Sequence, residues 1–270
     1  MQKGGLVFLG TGGGRFNLVS QERRTGGFRI NGDLNIHVDP GPGALASSLF
    51  FSQPPSEVEW LIVTHNHIDH TNDAGLTIEA MGSPQKGGII ASKSILSGDE
   101  YKERAISSYH TNKLSEKIIA RHGSKIPFPK KNPKASLLPI PARHEDKTGF
   151  GFVLSMNKRK IGYTSDTEYY SGMGAHYSGC DILVVNNLKA RADNVPGHLC
   201  SKDTARLLSQ AKPKLAILSH MGLRLIRASP EREAARIQKE SGVRTVAAKD
   251  GMRISLSSLE ISFPSKSKKR

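Results

Sequence analysis

Thr64-His65-Asn66-His67-Ile68-Asp69-His70 follows directly on the apolar run Trp60-Leu61-Ile62-Val63. Three imidazoles and a carboxylate are packed into one short segment. Zinc favours these ligand types, and a catalytic zinc keeps one position open for water. In extended chain, residues i and i+2 project to one side, so His65 and His67 can bind the same ion. Asp69 and His70 lie just past the turn, within reach of a second ion. Ligand type alone leaves zinc, iron and manganese open. A polar loop without metal is the simpler alternative, but imidazoles clustered this densely are costly without a ligand.

The same arrangement recurs along the chain, where an apolar run ends and an Asp or His follows. Leu34 to Val38 leads to Asp39, Leu137 to Ile140 to His144, Lys160 to Tyr163 to Asp166, and Leu215 to Leu218 to His220. Sites form where several strands terminate together on one rim. Further strands are expected at Leu6–Leu9, Phe28–Ile30, Gly88–Ala91, Gly151–Leu154 and Ile182–Val185. Helices are expected at Asp73–Met81, Tyr101–Arg121, Ser201–Ala211 and Pro230–Ser241, the last with Pro230 in its first turn and Ser229 as N-cap. Helices interspersed among strands imply sheets covered by helices, with the topology left open. Pro127 to Pro133 reads as a surface loop. Gly10 to Gly14 lacks the ending and spacing of a phosphate-binding loop and reads as a turn.

At 270 residues, the chain can bury a sizeable core as one domain. Cys180 and Cys200 make no disulfide framework and read as packing residues. No apolar run is long enough to cross a membrane, and the start of the chain reads as a strand rather than a signal peptide, so the expected location is the cytoplasm. The formal charge of +15 points to an anionic substrate or partner, nucleic acid first. The competing reading is a solvated basic tail (Lys266, Lys268, Lys269, Arg270) and a basic loop (Lys130, Lys131, Lys134).

With these motifs in this order, the chain resembles the metallo-β-lactamase superfamily, from Phe8-Leu9-Gly10-Thr11-Gly12 to Lys249-Asp250-Gly251-Met252. The resemblance implies an α/β protein, a four-layer αβ/βα sandwich with the site at one edge. Residues 1–262 would form the hydrolase domain, with an insert at about 93–135, and 263–270 a disordered basic tail. It implies two divalent ions, zinc first, with manganese or iron as alternatives. His65, His67 and His144 would bind one ion, Asp69, His70 and His220 the other, and Asp166 would bridge them. Asp39 would orient a ligand from behind. Asp69 and Asp166 are then catalytic as well as metal-binding, and a water activated between the ions is the nucleophile.

Leu9-Gly10-Thr11-Gly12-Gly13-Gly14 and the bridging aspartate resemble the phosphodiesterase branch, which includes the ribonuclease Z type enzymes. Gly197-His198-Leu199-Cys200-Ser201 resembles the stretch that supplies their catalytic histidine, so His198 is the expected general acid. Two departures stand against tRNA 3′-end processing. Asn186-Asn187 occupies the place of a His-Glu pair, and the interval from His144 to Asp166 is too short for a tRNA-gripping arm. The expected substrate is an anion such as RNA or a nucleotide, and a homodimer is compatible with the sequence. Ester, thioester or lactam hydrolysis, and a non-catalytic nucleic-acid-binding role, are the alternatives. Lys102, Arg104, Lys113, Lys117, Arg121 and Lys125 are expected on or beside a helix bordering the site, where they would admit the anion; a solvated helix face is the competing reading.

Overall fold

Runs buried on both faces build the centre of the molecule. In the computed structural model, which describes residues 4–81, 87–99, 101–128, 135–191 and 196–263, every residue of Trp60–Val63, Gly88–Ala91 and Leu215–Ser219 is buried. Such runs suit parallel strands covered on both sides. The strands are β1 (Gly5–Phe8), β2 (Phe28–Asn31), β3 (Ile36–Val38), β4 (Trp60–Val63), β5 (Gly88–Ala91), β6 (Glu116–Ile119), β7 (Ile126–Pro127), β8 (Ser136–Pro141), β9 (Phe150–Met156), β10 (Arg159–Tyr163), β11 (Ile182–Lys189), β12 (Leu199–Cys200), β13 (Leu215–Ser219), β14 (Thr245–Ala247), β15 (Arg253–Ser255) and β16 (Ile261–Ser262).

They form two sheets, ordered β16-β15-β1-β2-β3-β4-β5-β6 and β14-β13-β11-β10-β9-β8-β7, with β12 paired to β11. The run β3 to β6 is parallel, as is β10-β11-β13-β14. Phe8, Ile62, Phe152, Val184 and Ile217 meet between the sheets. Alternate residues face outward: Leu61, Val63 and Ile89 pack on Ala74 and Ile78 of the helix Ala74–Ala80. On the other side, Leu183, Val185 and Leu218 pack on Leu207 and Leu208 of the helix Ser201–Ala211 and on Ile237 of the helix Pro230–Ser241. Each large aliphatic side chain buried this way contributes roughly 1.5–3 kcal/mol. The result is the αβ/βα sandwich that the family resemblance implies.

The helix expected over Tyr101–Arg121 is not formed. Only Ser108–Thr111 is helical there, and Glu116–Ile119 joins the first sheet as β6, parallel to β5. The apolar spacing from Ile106 through Ile118 mimics a helical face, but adjacent Ile118 and Ile119 have the β-branched shape that suits a sheet edge. The segment read as an insert therefore extends both sheets, through β6 and β7. Three of its cations have local partners: Lys113 pairs with Glu79, Arg104 bonds Ser108, and Lys117 bonds Asn112. Ser229 precedes the last helix with φ 105° and no side-chain capping bond, so Pro230 alone marks its start. Among the described residues, no helix is long and apolar enough to cross a membrane. Residues 129–134, with most of the basic loop, and 264–270, with the basic tail, lie outside the described residues.

His37 sits on β3 opposite Arg29 of β2, both buried on the outer face of the first sheet. Its Nε2 donates to the Gly26 carbonyl at 2.9 Å. Burial, reinforced by the Arg29 charge, pushes the imidazole down to about 3. The unfolded chain takes up this proton near pH 6.5, and the folded chain refuses it until about pH 3. Stability is therefore complete above pH 6.5 and falls as pH drops through that window, by up to about 1.4 kcal/mol per pH unit for this one group. In urea unfolding followed from pH 7 to 4, His37→Gln is expected to flatten the decline relative to wild type. An unchanged slope would remove His37 as its source.

Candidate metal centre

The two sheets deliver their polar residues to one edge. Asp39 follows β3, His65 follows β4, His144 follows β8, Asp166 follows β10 and His220 follows β13. At Asp39, Ser165 and His220 the chain turns through the left-handed region, with φ 48°, 54° and 51°. Such positions cost roughly 1–3 kcal/mol each for residues other than glycine and persist where surrounding contacts hold them. Asp146 fixes the His65–His67 loop: one oxygen accepts the Asn66 amide at 3.1 Å, and the other accepts from Thr148 at 2.7 Å.

His65, His67 and His144 form one group, with ligand atoms within 4.8 Å of one another. His144 Nδ1 donates to the Gly197 carbonyl at 2.9 Å, and His67 Nε2 faces the Glu145 carboxylate at 3.3 Å. These partners fix both protons on the outer nitrogens. When the rings are neutral, His144 Nε2 and His67 Nδ1 face each other with lone pairs at 3.1 Å. Two lone pairs at that distance repel unless a cation lies between them. His65 Nδ1 donates to Thr64 Oγ1 at 3.1 Å, which leaves its buried Nε2 turned inward without a protein partner.

Asp69, His70 and His220 form the second group. His70 Nε2 and His220 Nε2 are 3.0 Å apart, and His220 Nε2 is 3.1 Å from Asp69 Oδ2. His70 Nδ1 donates to Asp39 Oδ2 at 3.0 Å, which aims Nε2 at the centre. Between the groups, Asp166 Oδ2 lies 3.4 Å from His70, 3.4 Å from His220, 3.8 Å from His65 and 3.5 Å from His198 Nδ1. The structure thus brings His65, His67, Asp69, His70, His144, Asp166, His198 and His220 to one place, with Asp39 directly behind His70.

The electrostatics match a cation site. Burial would raise the Asp166 carboxyl, but His220, His70 and His198 hold it well below the usual range. Asp69 is likewise held low by His70 and His220 against the effect of burial. Burial pushes His65 and His144 down, so both rings are neutral lone-pair donors. His70 is the exception: Asp166, Asp69 and Asp39 outweigh burial and hold a proton on it. A divalent ion supplies the same charge to the same carboxylates and displaces that proton. Convergent lone pairs, ionised carboxylates and fixed tautomers fit divalent metal.

Several contributors carried no expectation from the sequence. Gly13 lies so close to His220 that a Cβ there would stand 2.2 Å from the ring, and the Gly14 amide donates to Asp69 Oδ2 at 3.2 Å. The glycine run is thus a close-approach device against the second group. Glu145 is signalled only by adjacency to His144. Tyr163 bonds Asp39, and Asn186, noted in the sequence only as standing where a His-Glu pair would, bonds Asp166.

His198 stacks at 6.0 Å from the His220 ring, and its side chain is 17% exposed. Burial pushes it down to about 4, with Asp166 opposing. Asn187 does not serve it; its bonds go to Lys189, Ser201 and Thr204 at the start of the helix Ser201–Ala211. Two clefts flank the first group. One of about 860 Å³ includes His67, Lys93, Asp99, Glu145 and Lys147, and one of about 420 Å³ includes Arg143, His144, Lys147, Glu168 and Gly197. The cations that line these clefts are Lys93, Arg143 and Lys147.

The profile of the beta-lactamase superfamily domain matches residues 34–221. An uncharacterized protein of Methanocaldococcus jannaschii is 35% identical over 257 residues, covering 93% of this chain and 94% of that protein. Among solved structures, the metallo-beta-lactamase fold protein YhfI of Bacillus subtilis superposes with a TM-score of 0.73 at 17% identity, over 94% of this chain and 99% of its own. The short form of human tRNase Z superposes with a TM-score of 0.65 at 16% identity, over 93% and 99%. The matched span contains Asp39, both ligand groups, Asp166 and His198; the chain belongs to the β-lactamase superfamily, with the metallo-β-lactamase fold.

Proposed function

We propose that the protein is a dinuclear metal-dependent hydrolase that cleaves phosphodiester bonds in an anionic, nucleotide-like substrate. The observation that carries this reading is the position of Asp166 Oδ2 between two ligand groups, with His198 on its open side. His65, His67 and His144 would hold one divalent ion, and Asp69, His70 and His220 the other. Zinc suits this donor set, and manganese or iron are also compatible. Bound there, the pair supplies Lewis acidity and a nucleophile at neutral pH.

The chain's own residues do the rest. Asp39, Glu145 and the Gly197 carbonyl hold three imidazoles in the tautomer that presents a lone pair. Arg143, Lys147 and Lys93 line the clefts that receive an anion. His198 is neutral in the free protein, and an incoming phosphodiester anion favours its protonation, which makes it the donor to the leaving oxygen. The structural likeness to human tRNase Z supports the phosphodiester reading. Ester, thioester or lactam hydrolysis is the second reading, favoured by no particular contact.

Purified protein is expected to hold about two metal ions per chain and to hydrolyse bis(p-nitrophenyl) phosphate, with Asp166→Ala losing both. Chelation is expected to lower the unfolding temperature and added Zn²⁺ to restore it, since an ion bound only by the folded chain stabilises it. Metal without phosphodiester cleavage would move the assignment to ester or thioester substrates. His198→Ala is expected to lower kcat by about 10²–10⁴-fold where the leaving group is an alkoxide, as in a dinucleotide. The loss should be below about tenfold for p-nitrophenolate, which leaves without a proton. Equal losses on both substrates would take the proton-donor role from His198. The double variant Arg143→Glu/Lys147→Glu is expected to raise KM for a dinucleotide by about tenfold or more with kcat nearly kept. An unchanged KM would place the anion elsewhere.

A further inference from the structure

Asn186 lies in β11, is 2% exposed, and offers no strong metal ligand of its own. Its amide makes two bonds through one nitrogen. Nδ2 donates to Asp166 Oδ1 at 2.7 Å and to Tyr163 Oη at 3.0 Å. The acceptor-only carboxylate fixes which end of the amide points there. Tyr163 passes its own proton to Asp39 Oδ2 at 2.9 Å, and Asp39 Oδ2 accepts from His70 Nδ1 at 3.0 Å. The bonds form one unbroken path, from Asp166 through Asn186, Tyr163 and Asp39 to His70. Its two ends are the residues presented to the second ligand group.

The direction of each bond has a consequence. The tie on Oδ1 occupies one oxygen of Asp166 and leaves Oδ2 alone among the imidazole nitrogens of His70, His220, His65 and His198. Without it, the carboxylate could rotate and present both oxygens to one ion. The Tyr163 hydroxyl, buried and held as a phenol by its surroundings, can only relay what Asn186 gives it. The Asn186 carbonyl oxygen is buried with no donor. A side chain placed here to support the sheet would satisfy its oxygen or be apolar. This one spends its burial on the two hydrogens that face the site.

We infer that Asn186 is a positioning residue that holds Asp166 as a one-oxygen bridge and aligns it with His70, and so sets the affinity of the second ion site. The inference rests on the dinuclear reading above. It deepens that reading by assigning the coupling between the ions to a residue that binds neither.

The test is a titration of chelator-treated protein with Co²⁺, read by visible absorption and by metal content after dialysis. Wild type is expected to take two equivalents. Asn186→Leu, similar in size and without the donors, is expected to weaken the second equivalent by 10–100-fold while the first, held by three imidazoles, changes much less. Tyr163→Phe keeps the Asn186–Asp166 bond and breaks the path to Asp39; it is expected to weaken the second equivalent by about tenfold. Asn187→Leu removes an equally buried amide that serves its own strand and the start of the neighbouring helix. It should lower the unfolding temperature and leave both equivalents in place, which separates positioning from general support. Two equivalents bound by Asn186→Leu with wild-type affinity and spectrum would overturn the inference and leave the dinuclear reading standing. If Asn186→Leu does not fold, an unchanged second equivalent in Tyr163→Phe overturns it instead. A wild type that takes fewer than two equivalents overturns the dinuclear reading and the inference together.

Discussion

The carboxylate of Asp39 accepts the Thr64 amide, the Thr64 hydroxyl, the His70 imidazole and the Tyr163 phenol. Asp39 and Thr64 close the first sheet, and Tyr163 closes a strand of the second. One buried charge therefore ties both sheets together at the edge where the ligands converge. A buried carboxylate that loses its partners costs about 3–5 kcal/mol, so each donor is held in place by the need of the others. The left-handed turn at Asp39 is the geometric consequence, since it swings the side chain back from the strand end toward these donors. His70 is aimed by this anchor. The second ligand group, and the spacing between the groups, follow from that aim.

The strand-end rule made most of this edge legible. Strands with buried runs stop where the polar residue begins, and β3, β4, β8, β10 and β13 all do so. The residues least visible in the sequence act through hydrogen-bond direction rather than through ligand chemistry. Asn186 lies just past the strand expected at Ile182–Val185, whereas β11 continues to Lys189 and carries it into the interior. Glu145 and Gly197 act on outer nitrogens of His67 and His144, and nothing local in the sequence announces a tautomer. The misread segment from Tyr101 to Arg121 failed for a different reason. Its apolar period suits a helix, but the bare edge of β5 offers parallel pairing that a helix cannot use.

Charge behaves in the same layered way. Of the cations that the sequence reading set beside the site, Lys113 is paired with Glu79. The cations that line the clefts belong to the segments around His144 and after β5, and they stand beside Glu145, Asp99 and Glu168. A lining of both signs offers hydrogen-bond donors and acceptors side by side. The steering by the whole surface and the selection by the clefts are thus separate effects.

The pairing of β1 with β15, which sets Gly5 beside Ser255, also bears on the order of synthesis. β1 emerges before β2 and can pair with it soon after, yet its other edge waits for a strand about 250 residues later, Gly5 facing Ser255. At about 5–20 residues per second, that wait is on the order of tens of seconds. Through it, the nascent first sheet carries an open edge and an uncovered apolar face, and its ligands lack His144, Asp166 and His220. The two ligand groups can therefore converge only after the strands of the second sheet are in place.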